Sequence, residues 1–220
     1  MNTSPAAALD TLSPTIPVFP LSGALLLPRG ELPLHVFEQR YRDMVRDSAA
    51  GHGLIGMVQP TQPESTADRP DLYGTGCVGR MSALRQTDDG RYYMTLIGLC
   101  RYDIVEELPM THAYREVVAD YRRYLSDIDP AEPDATDREK LLSALQGYLD
   151  AQDLETDWGQ MDRVDEETLV NALAMMCPFD PREKQALLEA GNIRERSEIL
   201  TSLFTMSGHA ARGATPSSMQ

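Results

Sequence analysis

The chain has 220 residues, of which 42% are hydrophobic, and a formal net charge of −14. This length suits one large domain or two small ones, and the apolar fraction can form a hydrophobic core, so a disordered protein is excluded. Acidic side chains outnumber basic ones in both halves. The charge therefore argues against nucleic acid as a partner, because proteins bind phosphates mainly through Lys and Arg.

The sequence also argues against membrane and metal partners. It contains no run of the ~18 apolar residues that a membrane span needs, and its first fifteen residues do not resemble a secretion signal. We therefore expect a cytoplasmic protein. Cys77, Cys100 and Cys177 lie far apart without C-x-x-C spacing. Buried, reduced thiols are expected, rather than disulfides or a zinc site.

The first half of the chain has the pattern of short strands interrupted by prolines. Strands are predicted over residues 16–21, 32–36, 53–58, 77–84, 92–105 and 117–121. Prolines cannot donate to a strand ladder, so Pro17, Pro20 and Pro33 should lie at a sheet edge, a strand start or a bulge. Asp88-Asp89-Gly90 predicts a hairpin turn. These features together favour a small irregular barrel.

Helices are predicted once within this barrel and four times after it. The first helix runs from Glu38 to Ala50, with Tyr41, Met44 and Val45 on one face. The later four begin at a capping box over residues 136–139, at Asp165, at Asp180 and at Asn192, and the last ends at Gly208. This gives a mobile tail over 1–13, a β-barrel subdomain over 14–124, an acidic proline-containing linker over 125–135, a helical bundle over 136–207 and a mobile tail over 208–220.

The motifs of common enzymes are absent or incomplete. The chain has no G-x-x-x-x-G-K-[ST] for ATP phosphates, and Gly74-Thr75-Gly76-Cys77-Val78-Gly79 leads into a strand instead of opening a helix. Those glycines are therefore interpreted as bulges or close backbone contacts. The two lysines, Lys140 and Lys184, are predicted to face solvent, and the four histidines have no metal-ligand spacing. No catalytic residue, cofactor site or metal site is predicted.

Two spaced motifs resemble a known family. Pro17-Val18-Phe19-Pro20-Leu21 and the stretch from Pro33 to Tyr41, which contains Phe37-Glu38-Gln39-Arg40-Tyr41, resemble the opening of the amino-terminal substrate-recognition domain of Lon proteases. Segments at 74–80, 89–102 and 178–189 extend the resemblance over roughly 14–206. It implies an α+β fold in which a PUA-like β pseudo-barrel is followed by a C-terminal helical bundle. The ATPase and peptidase regions of Lon have no counterpart in this sequence.

The resemblance implies a non-catalytic module whose partner is an unfolded or partner polypeptide, with no nucleic acid and no membrane. The turn before the first helix is the candidate site, with apolar contacts from Leu34, Phe37 and Tyr41 and charges from Glu38 and Arg40. A purely structural role for Glu38 and Arg40 at the helix start stays open. So do two other functions, an RNA-associated PUA-like accessory module and an uncharacterised hydrolase. The oligomeric state is not predicted.

Overall fold

The strand patterns of the first half form six β-strands in a computed structural model that describes residues 12–64, 67, 69–128, 136–161 and 163–213. The predicted tails fall largely outside this range, as does most of the predicted linker. The strands are β1 (Thr15–Pro20), β2 (Glu31–Val36), β3 (Leu54–Val58), β4 (Thr75–Gln86), β5 (Tyr92–Glu107) and β6 (Arg115–Asp120). The hairpin turn predicted at residues 88–90 joins β4 to β5, and Gly90 has a φ of 79° there.

The sheet closes on itself. Its strand order is β2-β5-β4-β3-β1-β6, and β6 also pairs with β5. Five strands therefore form a ring, and β2 is attached outside it along the first half of β5. Strand β5 can pair with β2, β4 and β6 because it is 16 residues long and has a register shift between Ile104 and Glu106. This confirms the predicted α+β pseudo-barrel.

The prolines lie where a ladder partner is absent. Pro33 is in β2, which pairs with β5 alone among the described strands. Strand β1 has neighbours on both sides, but its pairing with β3 begins at Val18 and its pairing with β6 ends there. Pro17 and Pro20 therefore each face one neighbour only, which is what the missing N–H requires.

Two glycines of the G-x-G-x-x-G sequence allow close packing inside the barrel. A Cβ on Gly76 would lie 2.5 Å from the carbonyl oxygen of Met57 and from the ring of Tyr102. A Cβ on Gly79 would lie 2.8 Å from a methyl group of Leu26. Tyr102 is completely buried in the core. The glycines are thus close backbone contacts, as the sequence predicted, and they do not form a phosphate loop.

The helices are α1 (Gln39–Ala50), α2 (Arg138–Ala151), α3 (Trp158–Met161), α4 (Glu166–Met176), α5 (Pro181–Glu189) and α6 (Ile193–Gly213), with a 3-10 helix over Arg122–Asp127. Helix α1 buries Tyr41, Met44 and Val45, as predicted. Two helix ends differ from the prediction. Asp137, not Thr136, caps α2 by accepting from the N–H of Lys140, because Thr136 bonds Glu166 instead. Helix α6 continues past Gly208.

The described chain divides into two compact units. The first contains the sheet, α1 and the 3-10 helix together with Pro178–Leu188, which is most of α5. The second contains α2, α3, α4 and α6. Helix α5 lies between helices of the bundle in the sequence. It nevertheless belongs to the first unit and packs on the barrel. The predicted subdomain boundaries remain predictions.

Buried polar groups attach α5 to the sheet. The side-chain amide of Gln59 donates to the carbonyl oxygen of Pro181 at 2.9 Å, and that of Gln185 donates to the carbonyl oxygen of Thr75 at 3.2 Å. Lys184 is also buried, with 7% of its surface exposed. The prediction that Lys184 faces solvent is therefore wrong. It shares a helix face with Leu187 and Leu188, three and four residues further on, which are also buried.

An ion pair buried in the first unit joins the 3-10 helix to β5. The guanidinium of Arg101 donates from Nη2 to Oδ1 of Asp127 at 2.8 Å and from Nε to Oδ2 at 2.9 Å. A third donor of Arg101, Nη1, bonds the carbonyl oxygen of Leu188 at 3.1 Å. The ring of Tyr124 lies 4.6 Å below the guanidinium. Asp127, which the sequence analysis placed in an acidic linker, is thus part of the core.

Candidate functional site

The candidate residues at the start of α1 separate into buried and exposed groups. Tyr41 is buried, and its ring centroid lies 4.2 Å from that of Phe19. Burial raises the pKa of the Tyr41 hydroxyl, while the neighbouring Arg40 lowers it. Phe37 is 59% exposed, and Leu34 is half-buried in β2. The turn therefore offers one large apolar side chain to solvent, and Tyr41 supports it from the core.

The charged pair beside Phe37 is formed by neighbours in sequence. Glu38 is the N-cap residue of α1, although its side chain makes no cap hydrogen bond. It accepts instead from Arg40, whose Nη2 lies 2.9 Å from Oε2 of Glu38. The guanidinium of Arg40 also lies 4.7 Å from the ring centre of Tyr41. Both charged side chains are substantially exposed, so this pair contributes little to stability.

Phe37 is the first member of an exposed row of aromatic rings. The imidazole of His35 lies 5.9 Å from the ring of Phe37 and stacks on that of Tyr93, with centroids 4.4 Å apart and planes 9° apart. Arg85 lies on β4, which pairs with β5 on the side away from β2. Its guanidinium is 5.3 Å from the ring centre of Tyr93. We call Phe37, His35, Tyr93 and Arg85 the aromatic row.

Strand register explains how the aromatic row forms. His35 of β2 is directly opposite Tyr93 of β5, and Tyr93 is opposite Arg85 of β4. Cross-strand partners point to the same face of a sheet, so three strands each contribute one member of the row. Ile97, two pleats along β5 from Tyr93, is also exposed. The outer face of these strands therefore carries apolar and aromatic groups in contact with solvent.

Sequence reasoning identified Phe37 and missed His35, Tyr93 and Arg85. Alternation in β2 and β5 could have predicted that His35 and Tyr93 face outward. Their contact depends on the pairing of β2 with β5, and no local pattern specifies that pairing. The aromatic row is thus a product of topology.

A small cavity lies close to the same turn. It has a volume of about 190 Å³ and includes Arg40 and Tyr41 among its lining residues. Tyr114, which is distant from this turn in the sequence, also lines the cavity. Its hydroxyl donates to Asp47 at 3.2 Å. Burial raises the pKa of the Tyr114 hydroxyl to about 12. This hydroxyl therefore stays protonated at neutral pH and cannot act as a base.

Two features are absent from the described part of the chain. Among them, no group of three or more His, Cys, Asp or Glu side chains could hold a metal ion. None of the described helices is long and apolar enough to cross a membrane.

Comparison with known proteins identifies the family. Residues 15–205 match the ATP-dependent protease La (LON) substrate-binding domain. A Lon protease from Anaeromyxobacter dehalogenans is 26% identical over 203 residues, which are 89% of this chain and 23% of that protein. Lon protease 2 from Myxococcus xanthus is 30% identical over 115 residues, 50% of this chain and 14% of that protein. The chain thus spans about a quarter or less of the length of these relatives.

Solved structures share the fold. A Lon N-terminal domain protein from Xanthomonas campestris superposes with a TM-score of 0.60 at 20% identity, covering 86% of this chain and 97% of that one. The N-terminal domain of the Lon protease of the Mycobacterium avium complex gives a TM-score of 0.60 at 17% identity, with coverages of 87% and 98%. The family match covers most of the chain, and the resemblance of the two sequence motifs is confirmed. The chain belongs to the LON substrate-binding domain family.

Proposed function

We propose that this chain is a non-catalytic module that binds unfolded segments of other polypeptides. The observation that carries the proposal is the aromatic row, in which Phe37 and Tyr93 are 59% and 44% exposed beside a stacked histidine. Large exposed aromatic groups on a rigid sheet are typical of protein-binding surfaces. The family match supports a role in substrate recognition.

The binding surface consists of the aromatic row together with Glu38 and Arg40. Leu34 is adjacent to His35 in β2 and faces the opposite side of the sheet, so we leave it out of this surface. The rings would contact apolar side chains of the bound segment, and the exposed Glu38–Arg40 pair would fix its direction along the sheet. Tyr41 would act from beneath, because its ring packs on Phe19 and holds the start of α1 in place.

Two observations favour binding without catalysis. Lys140 lies in the second compact unit and Lys184 is buried in α5, so neither lysine is a member of the aromatic row. The Cys100 thiol is buried, and burial raises its pKa to about 12, which suppresses the thiolate a nucleophile needs. We therefore extend the proposal to the absence of hydrolase activity.

A fluorescence titration tests the proposal. The probe is a labelled ten-residue unstructured peptide that contains two phenylalanines, has capped ends and carries no charge. Phe37→Ala should weaken its binding about tenfold, as expected for an aromatic hot spot, and leave the melting temperature nearly unchanged. Val105→Ala is the matched control, because Val105 is also an exposed apolar residue of the first unit, at 63%. Equal binding by all three proteins, or no binding at all, would refute the proposal.

Tyr41→Ala tests whether Tyr41 supports the start of α1 from the core or contacts the bound peptide. Tyr41 is buried, so this substitution should lower the free energy of unfolding by ~3–5 kcal/mol.

An RNA-associated role is the other candidate, and the same titration with a single-stranded RNA probe addresses it. We expect no binding at physiological salt, because the chain carries a net charge of −14.

A further inference from the structure

The cavity beside Arg40 and Tyr41 lies where three strands meet at one end of the sheet. Strands β1 and β3 run parallel and end there, at Pro20 and just before Pro60, while β6 begins there at Arg115. The walls are partly apolar, because Pro20, Pro60 and the two tyrosine rings line them. The volume of about 190 Å³ is well above the ~10–15 Å³ that a single water molecule needs. The cavity could therefore hold one side chain or one chain end.

The cavity also contains three guanidinium groups. Arg40, Arg69 and Arg115 all line it. Arg115 is nearly buried, with 10% of its side chain exposed, and it donates from Nε to Oε1 of Glu107 at 3.0 Å and from Nη1 to the carbonyl oxygen of Pro70 at 2.7 Å. Arg69 pairs with the same carboxylate through Nη2. Two of the three cations thus share one anion.

The carboxylates that pair with these guanidiniums are not among the described residues that line the cavity. Hydrogen bonding to Arg115 lowers the pKa of Glu107, so this carboxyl is ionised at neutral pH and contributes one negative charge. Glu38, which pairs with Arg40, contributes a second negative charge. Asp47, which accepts from Tyr114, is itself paired with Arg46. Among the described residues that line the cavity, three therefore carry a positive charge and none carries a negative one, in a chain whose net charge is −14.

Arg69 is the cation best placed to accept a further anion. Its side chain is 51% exposed, and among the described residues it bonds only Glu107, through one of its nitrogens. A guanidinium has five N–H donors, so donors remain for a second carboxylate. Arg115, by contrast, uses all three of its nitrogens within the protein.

We propose that this cavity binds a carboxylate of the captured polypeptide, either an acidic side chain or the chain's C-terminal carboxylate. The proposal rests on the proposed polypeptide-binding function and names the charged group that the same surface would recognise. Arg69 and Arg40 would bind the carboxylate, and the proline and tyrosine walls would contact the adjoining carbon atoms. The aromatic row would bind apolar residues of the same segment, since Arg40 belongs to the turn that also carries Phe37.

Four peptides test the proposal by fluorescence anisotropy with the full chain. The first is the uncharged ten-residue probe with capped ends, the second has a free C-terminal carboxylate, and the third and fourth contain one internal Glu or Gln with capped ends. We expect a carboxylate-bearing peptide to bind about fivefold more tightly than its uncharged counterpart. The second peptide reports a terminal carboxylate and the third an acidic side chain, so the two sources are distinguished.

Arg69→Gln should abolish the preference for the carboxylate and leave binding of the uncharged peptide unchanged. Arg91→Gln is the matched control, because Arg91 is 50% exposed, pairs with one carboxylate, that of Asp89, and does not line the cavity. It should leave the preference intact. Melting curves of both variants should match that of the parent chain.

The outcomes separate the two proposals. Equal affinity for all four peptides, with binding still weakened by Phe37→Ala, would refute the carboxylate site and keep the polypeptide-binding function. Failure of every peptide to bind would refute the polypeptide-binding function. In that case a titration with N-acetylleucine and with its amide, followed through the arginine Nε–H signals in NMR spectra, decides on the cavity alone. Shifts of the Arg69 signal with the acid and not with the amide support the site, and identical responses overturn it.

Discussion

At the scale of single residues, the ion pair between Arg101 and Asp127 is buried in the first unit. Both side chains are over nine-tenths buried, and their bidentate contact is completed by the backbone N–H of Arg101, which donates to Asp127 at 2.9 Å. We expect Asp127→Asn to lower the free energy of unfolding by ~3–5 kcal/mol, because it leaves a buried guanidinium without its counter-ion. Urea unfolding measures this change.

An exposed ion pair provides the comparison. Arg122 makes three side-chain hydrogen bonds to Asp120, yet the side chain of Arg122 is 83% exposed. Arg122→Ala should change the free energy of unfolding by less than ~1 kcal/mol, because solvent already screens this pair. Similar losses from Asp127→Asn and Arg122→Ala would contradict the assignment of the Arg101 pair to the core.

The thiols give a second prediction at the residue scale. None of the three cysteines is in a disulfide, and Cys77 and Cys100 are buried while Cys177 is only half-buried. At pH 8, a thiol reagent should therefore modify Cys177 first, and Cys77 and Cys100 only after unfolding. Equal rates for all three thiols in the native protein would contradict this order.

Cys100 also adds a pH dependence. Burial raises its pKa from 9.0 to about 12, so the folded state holds this proton more tightly than the unfolded state does. The corresponding stability is complete below pH 9 and decreases as the pH rises from 9 toward 12. Cys100→Ser should flatten the decline of the unfolding free energy in this range, as measured by urea titrations at several pH values.

At the scale of elements, α2 and α6 cross at a pair of glycines. A Cβ on Gly208 would lie 3.3 Å from the carbonyl oxygen of Gly147, whereas a Cβ on Gly147 would meet nothing within 4 Å. Gly208 was predicted to end the last helix, but α6 continues to Gly213. The glycine is therefore explained by a close helix contact and not by a C-cap. The ring of Phe204, one turn earlier, packs 5.2 Å from that of Tyr148.

The two glycines should respond oppositely to substitution. Gly147→Ala should stabilise the protein by ~0.5–1 kcal/mol, because alanine favours the helix and its methyl group has room. Gly208→Leu should destabilise it, because the larger side chain must push the backbone of α2 away. Thermal melting of both variants measures the difference. A loss of stability in Gly147→Ala would show that the crossing is not as described.

The sequence predicted the helices and strands more accurately than it predicted which of them pack together. Alternation and turn residues predicted the strands that form the barrel and the hairpin at Gly90, since both signals are local. The capping box of α5 also formed, because Asp180 accepts from the N–H groups of Arg182 and Glu183. The surroundings of Lys184 could not be predicted in this way. Its spacing to Leu187 and Leu188 is that of one helix face, whereas a lysine is rarely buried, so residue type and spacing point in opposite directions.

At the scale of the whole molecule, the two compact units are not two consecutive stretches of the chain. The segment Pro178–Leu188 belongs to the first compact unit, although residues of the second unit precede and follow it in sequence. Gln59, Thr75 and Arg101 each bond a residue of this segment. Local periodicity predicts that a helix exists here but not which unit it completes, so sequence order alone suggested the helical bundle.

This arrangement predicts that the barrel requires α5. A fragment ending at residue 131 leaves the buried side chains of Gln59 and Arg101 without partners that they have in the full chain, and each such loss costs ~1–3 kcal/mol. A second fragment carries residues 178–191 after a flexible linker of Gly and Ser. We expect it to unfold at higher urea concentration, with a free energy of unfolding larger by at least ~2 kcal/mol. A third fragment with the 178–191 segment in scrambled order controls for added length, and it should be no more stable than the shortest one. If all three fragments unfold at the same urea concentration, α5 does not complete the barrel, and its contacts with Gln59, Thr75 and Arg101 contribute nothing measurable to the stability of the sheet.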